Sequence, residues 1–189
     1  MPAAWPPRPG VPRDSEALDP QGSDQASFDA EDPDALTDAL ARCYSYLARR
    51  EHSAAELRER LGRARVEAAA AERAIAIVIE QGYLNDQRYA RLLAEDRRNI
   101  DGWGVARIRD RMERAGLDRG LIDSTLAPFD DASECRAALE LLRRRFSTPP
   151  GSARERQRAF ALLVRQGFEY EIAYDAIRRH AGDAADAAA

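Results

Sequence analysis

Apolar residues recur along this chain at intervals of three and four, with arginines and carboxylates filling the positions between them. Leu36, Leu40, Cys43 and Leu47 are spaced +4, +3, +4, and Cys135, Leu139, Leu142 and Phe146 repeat that spacing. Tyr89, Leu93 and Ile100 follow it more loosely. This is the period of helices that each bury one stripe. The clearest punctuation is Gly82-Tyr83-Leu84-Asn85-Asp86-Gln87-Arg88-Tyr89-Ala90. Gly82 can take the left-handed conformation that closes a helix, and Tyr83 is expected to fold back on the last turn. Asn85 is then an N-cap, and Asp86 places negative charge in the new first turn. Similar joints recur at Gly116-Leu117-Asp118 and Gly167-Phe168-Glu169. Such short joints fix the angle between successive helices.

The helical segments group in threes. In the first unit a capping box, Ser53-x-x-Glu56, starts a helix through Leu57 and Leu61, and a third helix carries Ala74, Ile75, Val78 and Ile79 to the Gly82 stop. The second unit runs from Asp86 through Val105, Ile108 and Met112 to a short helix with Ile122 and Leu126 that ends before Pro128. The third starts near Ala132, restarts after Pro149-Pro150-Gly151 with the capping box Ser152-x-x-Glu155, and ends near His180. The expected architecture is all-α, a curved array of three tandem three-helix repeats over 36–84, 85–128 and 131–181. Residues 1–34 hold seven of the ten prolines and eight carboxylates against two arginines, which predicts a disordered acidic tail. The Asp/Ala-rich segment 182–189 is expected to be disordered as well.

Composition sharpens this picture. Charged residues make up 33% and aromatics 7%, which suits many amphipathic helices better than a sheet. No apolar run approaches the about 18 residues of a membrane span, and no charged start precedes an apolar core, so a cytoplasmic protein without a secretory leader is expected. Cys43 and Cys135 each lie in an apolar stripe and read as buried thiols in a reducing compartment. Net charge is −4, but residues 1–35 carry −6 and residues 36–182 carry +4. Every cation is Arg; Lys is absent.

Arginine placement is the main candidate chemistry. With Val105, Ile108 and Met112 as the buried stripe, Arg107, Arg111 and Arg114 fall on the opposite face. Counted back from the stop glycine, Arg158 and Arg165 stand where Arg107 and Arg114 do, and Arg154 joins their row. Aligning Leu57 with Ile108 puts Arg60 and Arg63 in equivalent places. A cation stripe repeated from unit to unit could track a periodic anionic partner, a nucleic-acid backbone or acidic patches on successive filament subunits. The bland alternative is a solvated face, with Arg109–Glu113 and Asp110–Arg114 as self-neutralising pairs four residues apart. Arg107, Arg111, Arg154 and Arg158 are the less obviously paired set. Trp103 is expected to pack across a helix joint, the alternative being an exposed anchor; Tyr83, Leu84 and Tyr89 are expected in the core. Gly102-x-Gly104 is no phosphate loop, since neither a preceding strand nor a Lys-Ser/Thr accompanies it. His52 and His180 show no ligand or triad spacing to a Cys or carboxylate. With no nucleophile elbow and no Lys for a Schiff base, neither an enzyme nor a cofactor or metal is expected.

Tyr46-Leu47, Ser53-x-x-Glu56-Leu57-x-x-x-Leu61, the Gly82–Ala90 joint, and Gly102-Trp103-Gly104-x-x-Arg107-Ile108-x-x-x-Met112-x-x-x-Gly116-Leu117 occur in the order of the bacterial RecX regulatory proteins, which this chain resembles over about residues 36–180. Family members often carry a basic-aromatic-glycine turn after the first helix of the third repeat, where this chain has Arg145-Phe146-Ser147-Thr148-Pro149-Pro150. The resemblance implies a curved array of three-helix repeats that binds the RecA recombinase filament on single-stranded DNA as a monomer and inhibits its ATPase and strand exchange, affecting recombination and DNA repair. The alternative is a helical single-stranded DNA-binding module acting without RecA.

Overall fold

Pro33 opens the first helix, where its missing N–H and fixed φ cost nothing. The structure, a computed structural model, describes residues 33–146 and 148–186; at Pro33 and at 183–186 it describes the backbone alone. The tail expected over 1–34 thus lies outside the described residues as far as Asp32, while Pro33 and Asp34 belong to the first helix. At the other end the last helix passes the stop expected near His180 and runs to Asp186.

Among the described residues there are nine helices and no strand: α1 (Pro33–Leu47), α2 (Ala54–Arg63), α3 (Ala68–Glu80), α4 (Asp86–Asn99), α5 (Val105–Arg114), α6 (Arg119–Leu126), α7 (Asp131–Arg145), α8 (Ala153–Arg165) and α9 (Tyr170–Asp186). They form three tandem three-helix repeats, and each repeat buries its own apolar cluster. Cys43, Leu57, Leu61, Ile75, Val78 and Leu84 centre the first. Tyr89, Leu93, Ile108, Met112 and Ile122 centre the second, and Cys135, Leu142, Leu163, Phe168 and Ile177 the third. In each repeat the first and third helices pack on one another, and the second helix closes the cluster. Leu57, Leu61, Ile108, Met112 and Leu163 are fully buried at 0% exposure, each contributing about 1.5–3 kcal/mol. Burial raises the Cys43 thiol to about 11, so it stays protonated and unreactive.

The second helix of every repeat ends alike. A residue with positive φ follows it at Arg65 (58°), Gly116 (69°) and Gly167 (88°). The next amide turns back: Val66 N–H to Leu61 O at 3.1 Å, Leu117 to Met112 at 3.3 Å, and Phe168 to Leu163 at 3.1 Å. The apolar residue after the turn is thereby pressed onto its own core. The Gly82 joint is of a different kind, linking α3 of one repeat to α4 of the next. There the returning amide is Leu84, which reaches Val78 O at 3.1 Å, one residue further on. Leu84 is consequently buried, whereas Tyr83, expected in the core, is 58% exposed and stands edge-on to Tyr44. Arg88 staples this joint by donating to the carbonyls of Gly82 and Tyr83 and to both carboxylate oxygens of Glu51. Asn85 caps α4 as expected, accepting from Arg88 N–H at 2.9 Å.

Candidate binding surface

The second helices of adjacent repeats meet end to end, and these meeting points decide which arginines are free. At the boundary between repeats one and two, the C-terminal end of α5 abuts the N-terminal end of α2. The Ser53 hydroxyl donates to Ala115 O at 2.5 Å, and a Cβ at Gly116 would collide with Ala55. Asp86, at the start of α4, accepts from Ala54 N–H at 2.8 Å. The positive end of one helix thus faces the negative end of another, a favourable dipole alignment.

Glu56 sits at the centre of this boundary. It accepts from Arg111 at 2.9 Å and Arg50 at 3.0 Å, and lies 3.2 Å from both the Tyr89 hydroxyl and His52 Nδ1. Burial would raise its pKa, but hydrogen bonds from the Arg111 and Arg50 guanidiniums outweigh burial and hold it at about 2. The expected capping box is therefore half formed. The Ser53 hydroxyl accepts from Glu56 N–H at 3.0 Å, while the Glu56 carboxylate is drawn toward the guanidiniums. In α8, where no such guanidinium reaches the N3 carboxylate, the box is complete: Glu155 accepts from Ser152 N–H at 2.9 Å and Ser152 from Glu155 N–H at 3.2 Å. His52 also departs from expectation, lying buried against the Glu56 carboxylate rather than apart from any acid.

The boundary between repeats two and three repeats the plan with other residues. Gly104 N–H donates to Gln166 O at 2.8 Å. A Cβ on Gly104 would strike the Gly167 carbonyl, and one on Gly167 would lie 2.5 Å from the Arg107 Cβ. Close backbone approach is thus the reason for glycine at Gly104, whereas Gly102 has a positive φ of 67°. Arg107 donates to Arg165 O and Gln166 Oε1, and its guanidinium lies 4.1 Å from the Trp103 ring centroid. Arg97 covers the same ring at 5.1 Å, so Trp103 packs across the joint as expected. Glu134, in the first turn of α7, plays the part of Asp86: it accepts from Val105 N–H at 3.1 Å and pairs with Arg98 in a buried ion pair.

The predicted arginines therefore divide. Arg107 and Arg111, read as unpaired, are structural groups at the two repeat boundaries. Arg60 lies over the Tyr46 ring at 5.2 Å, Arg63 pairs with Glu59 at 2.6 Å, and Arg114 with Asp110 at 3.6 Å, the last as expected. Arg109 pairs with Asp123 at 2.5 Å rather than with Glu113 as expected. Arg154, Arg158 and Arg165 are exposed on α8, and among the described residues none has a carboxylate at ion-pairing distance. The reason for the division is positional. Glu56, Arg107 and Arg158 are equivalent when counted back from Arg65, Gly116 and Gly167. In the first two repeats this side chain reaches into the next repeat; in the third, Arg158 is exposed and has no such contact among the described residues.

Sequence reading missed Glu56 and Glu134 as boundary groups, because their partners lie 55 and 36 residues away. It also missed exposed aromatics in the third repeat. Tyr170 and Tyr174 of α9 are 65% and 60% exposed and pack around the half-buried Phe160 of α8.

Comparison with known proteins follows the same three-part plan. Residues 39–76, 85–126 and 132–177 match the first, second and third three-helix domains of RecX. The chain is 35% identical over 139 residues to the regulatory protein RecX of Deinococcus radiodurans, covering 74% of this chain and 66% of that one. It is 35% identical over 141 residues to regulatory protein RecX of Stenotrophomonas maltophilia strain R551-3, covering 74% and 83%. The crystal structure of RecX from Lactobacillus salivarius superposes with a TM-score of 0.66 at 20% identity, covering 77% of this chain and 96% of that one.

Proposed function

The chain belongs to the RecX family of regulatory proteins, and we propose that it inhibits the ATPase and strand-exchange activities of the RecA filament on single-stranded DNA by binding alone. One observation carries this reading: the third repeat presents Arg154, Arg158 and Arg165 in a row on one helix, with no ion-pairing carboxylate among the described residues. Successive guanidiniums of this kind suit a repeating anionic surface, because each keeps its donors for phosphate or carboxylate oxygens. Arg63 and Arg114, exposed and held only by exposed neighbours four residues away, extend the surface, since such pairs are worth well under about 1 kcal/mol. Arg107 and Arg111 serve it indirectly, by fixing how the repeats meet.

The protein acts as a monomer that contacts RecA together with its DNA, and no helix among the described residues is long and apolar enough to cross a membrane. Titrating it against RecA on single-stranded DNA while following ATP turnover tests the reading. Turnover should fall with added protein, and the triple variant Arg154→Glu, Arg158→Glu, Arg165→Glu should lose that effect. Unchanged turnover with the wild-type chain at micromolar concentration, together with no binding to the filament, would dispose of it.

A further inference from the structure

Between the second and third repeats, the end of α4 and one face of α7 line a cavity of about 390 Å³ whose charged groups are mostly cationic. Arg98 and Asn99 come from α4, and Glu140, Arg143 and Arg144 from α7, with the small Ala137 leaving the space between them. Arg98 is the group that calls for a ligand. Its side chain is only 9% exposed, one amino group pairs with Glu134, and the guanidinium lies 4.9 and 5.8 Å from the centres of the Phe129 and Phe168 rings. The other amino group is buried and has no hydrogen-bond partner among the described residues. A buried guanidinium donor without an acceptor is costly, so one is expected there.

Charge narrows the choice of acceptor. Arg98, Arg143 and Arg144 stand against two carboxylates, Glu140 in the cavity and Glu134 on Arg98, which leaves one positive charge over. Arg144 and the Asn99 amide are exposed and make no ion pair or side-chain hydrogen bond among the described residues. The helix dipole alone could explain arginines in the last turn of α7. It does not explain Arg98, which is buried and brought in from the preceding repeat. Nor does it place Arg144, whose Nη2 would stand 3.0 Å from a Cβ at Gly102, against the joint between α4 and α5. A water would satisfy the single buried donor and leave the surplus cation unmatched, whereas an oxyanion does both. Donors that converge from two helices suit the three strong acceptor oxygens of a terminal phosphate better than the two of a carboxylate.

We propose that this cavity is a binding site for a terminal phosphate group, either free inorganic phosphate or the phosphate that ends a nucleotide chain, held by Arg98, Arg144 and Asn99. Since α4 and α7 belong to different repeats, the bound anion ties the second repeat to the third. The site makes no use of the arginine row on α8, and it can fail while regulation of RecA stands.

The test titrates the full chain with inorganic phosphate at constant ionic strength, following melting temperature and the arginine side-chain N–H resonances by NMR. Wild type should show a saturable rise in melting temperature, with resonance shifts at Arg98 and Arg144. Arg144→Gln changes an exposed side chain, so it should melt like wild type without phosphate and bind the anion about tenfold or more weakly. Asn99→Ala should weaken binding about three- to tenfold, and Arg154→Gln on α8 should leave it unchanged. A 5′-phosphorylated oligothymidylate that binds more tightly than its 5′-hydroxyl counterpart, and is displaced by phosphate, would support the site with a strand end as the source. Equal binding of the two strands beside saturable phosphate binding would support it with the free anion as the source. No saturable phosphate binding by wild type overturns the site, as does wild-type affinity in both Arg144→Gln and Asn99→Ala. Weakening by Arg154→Gln in place of Arg144→Gln would move the anion to α8 and overturn it as well.

Discussion

Arg111 of α5 donates to the Glu56 carboxylate of α2 at 2.9 Å, joining the second repeat to the first through a contact 55 residues apart in sequence. Glu56 also accepts from Arg50 and lies against His52 and Tyr89, so one carboxylate gathers four polar groups from both repeats. An arginine that reads as a free surface cation is thereby committed to holding the array together.

Arg111→Ala should consequently lower stability by about 2–4 kcal/mol, because it leaves a mostly buried carboxylate short of its main donor. Arg154→Ala should change stability by less than about 0.5 kcal/mol. Urea denaturation of the two variants checks this; equal midpoints would show that the Glu56 cluster carries no boundary energy.

Acidification should weaken the fold in two windows. Glu56 is held at about 2 against a usual value of 4.5. A depressed carboxylate contributes stability above its unfolded pKa and loses it as pH falls through the folded one. The window therefore runs from about pH 5 to 2 and amounts to on the order of 3 kcal/mol. His52 is pushed below its usual 6.5 mainly by burial, helped by Arg50 and Arg60 and opposed by Glu56. The unfolded chain takes up that proton first, so stability already begins to fall below about pH 6.5. Melting temperature followed against pH should show both declines, and Glu56→Gln should remove most of the lower one.

Gly82 and Gly116 both have positive φ, at 76° and 69°, but only Gly116 is packed against another repeat. Alanine at Gly82 meets nothing within 4 Å and should cost about 1–2 kcal/mol, the strain of the left-handed backbone. Alanine at Gly116 adds a collision with Ala55 and should cost about 2–4 kcal/mol. Thermal melts of the two variants compare them; equal losses would mean that α2 yields freely to α5.

Arg65 occupies in the first repeat the turn position that glycine holds in the other two, with φ of 58°. Arg65→Gly should relieve that strain and raise stability by about 1 kcal/mol, seen as a rise of about 2–4 °C in melting temperature. A lower melting temperature would show that the Arg65 side chain has a stabilising contact of its own.

The spacing of Leu57 and Leu61, or of Ile108 and Met112, settles helix and buried face within one element, since a period of 3.6 residues is a local property. Caps at Asn85 and Ser152 and turns at Gly116 and Gly167 were legible for the same reason: their bonds close within six residues. The Tyr83 expectation failed by a single residue, because the amide that turns back at Gly82 belongs to Leu84.

What the chain alone determined is therefore the local half of the protein: three helical trios, their stops and starts, and a body richer in arginine than in acid. Tertiary structure decided which arginines stay free. Glu56, Arg107 and Arg158 hold one position in three repeats, yet the first two are taken up by the following repeat and the third is left in water. Helical period fixes where a side chain points from its own axis; whether something stands there depends on the next repeat along.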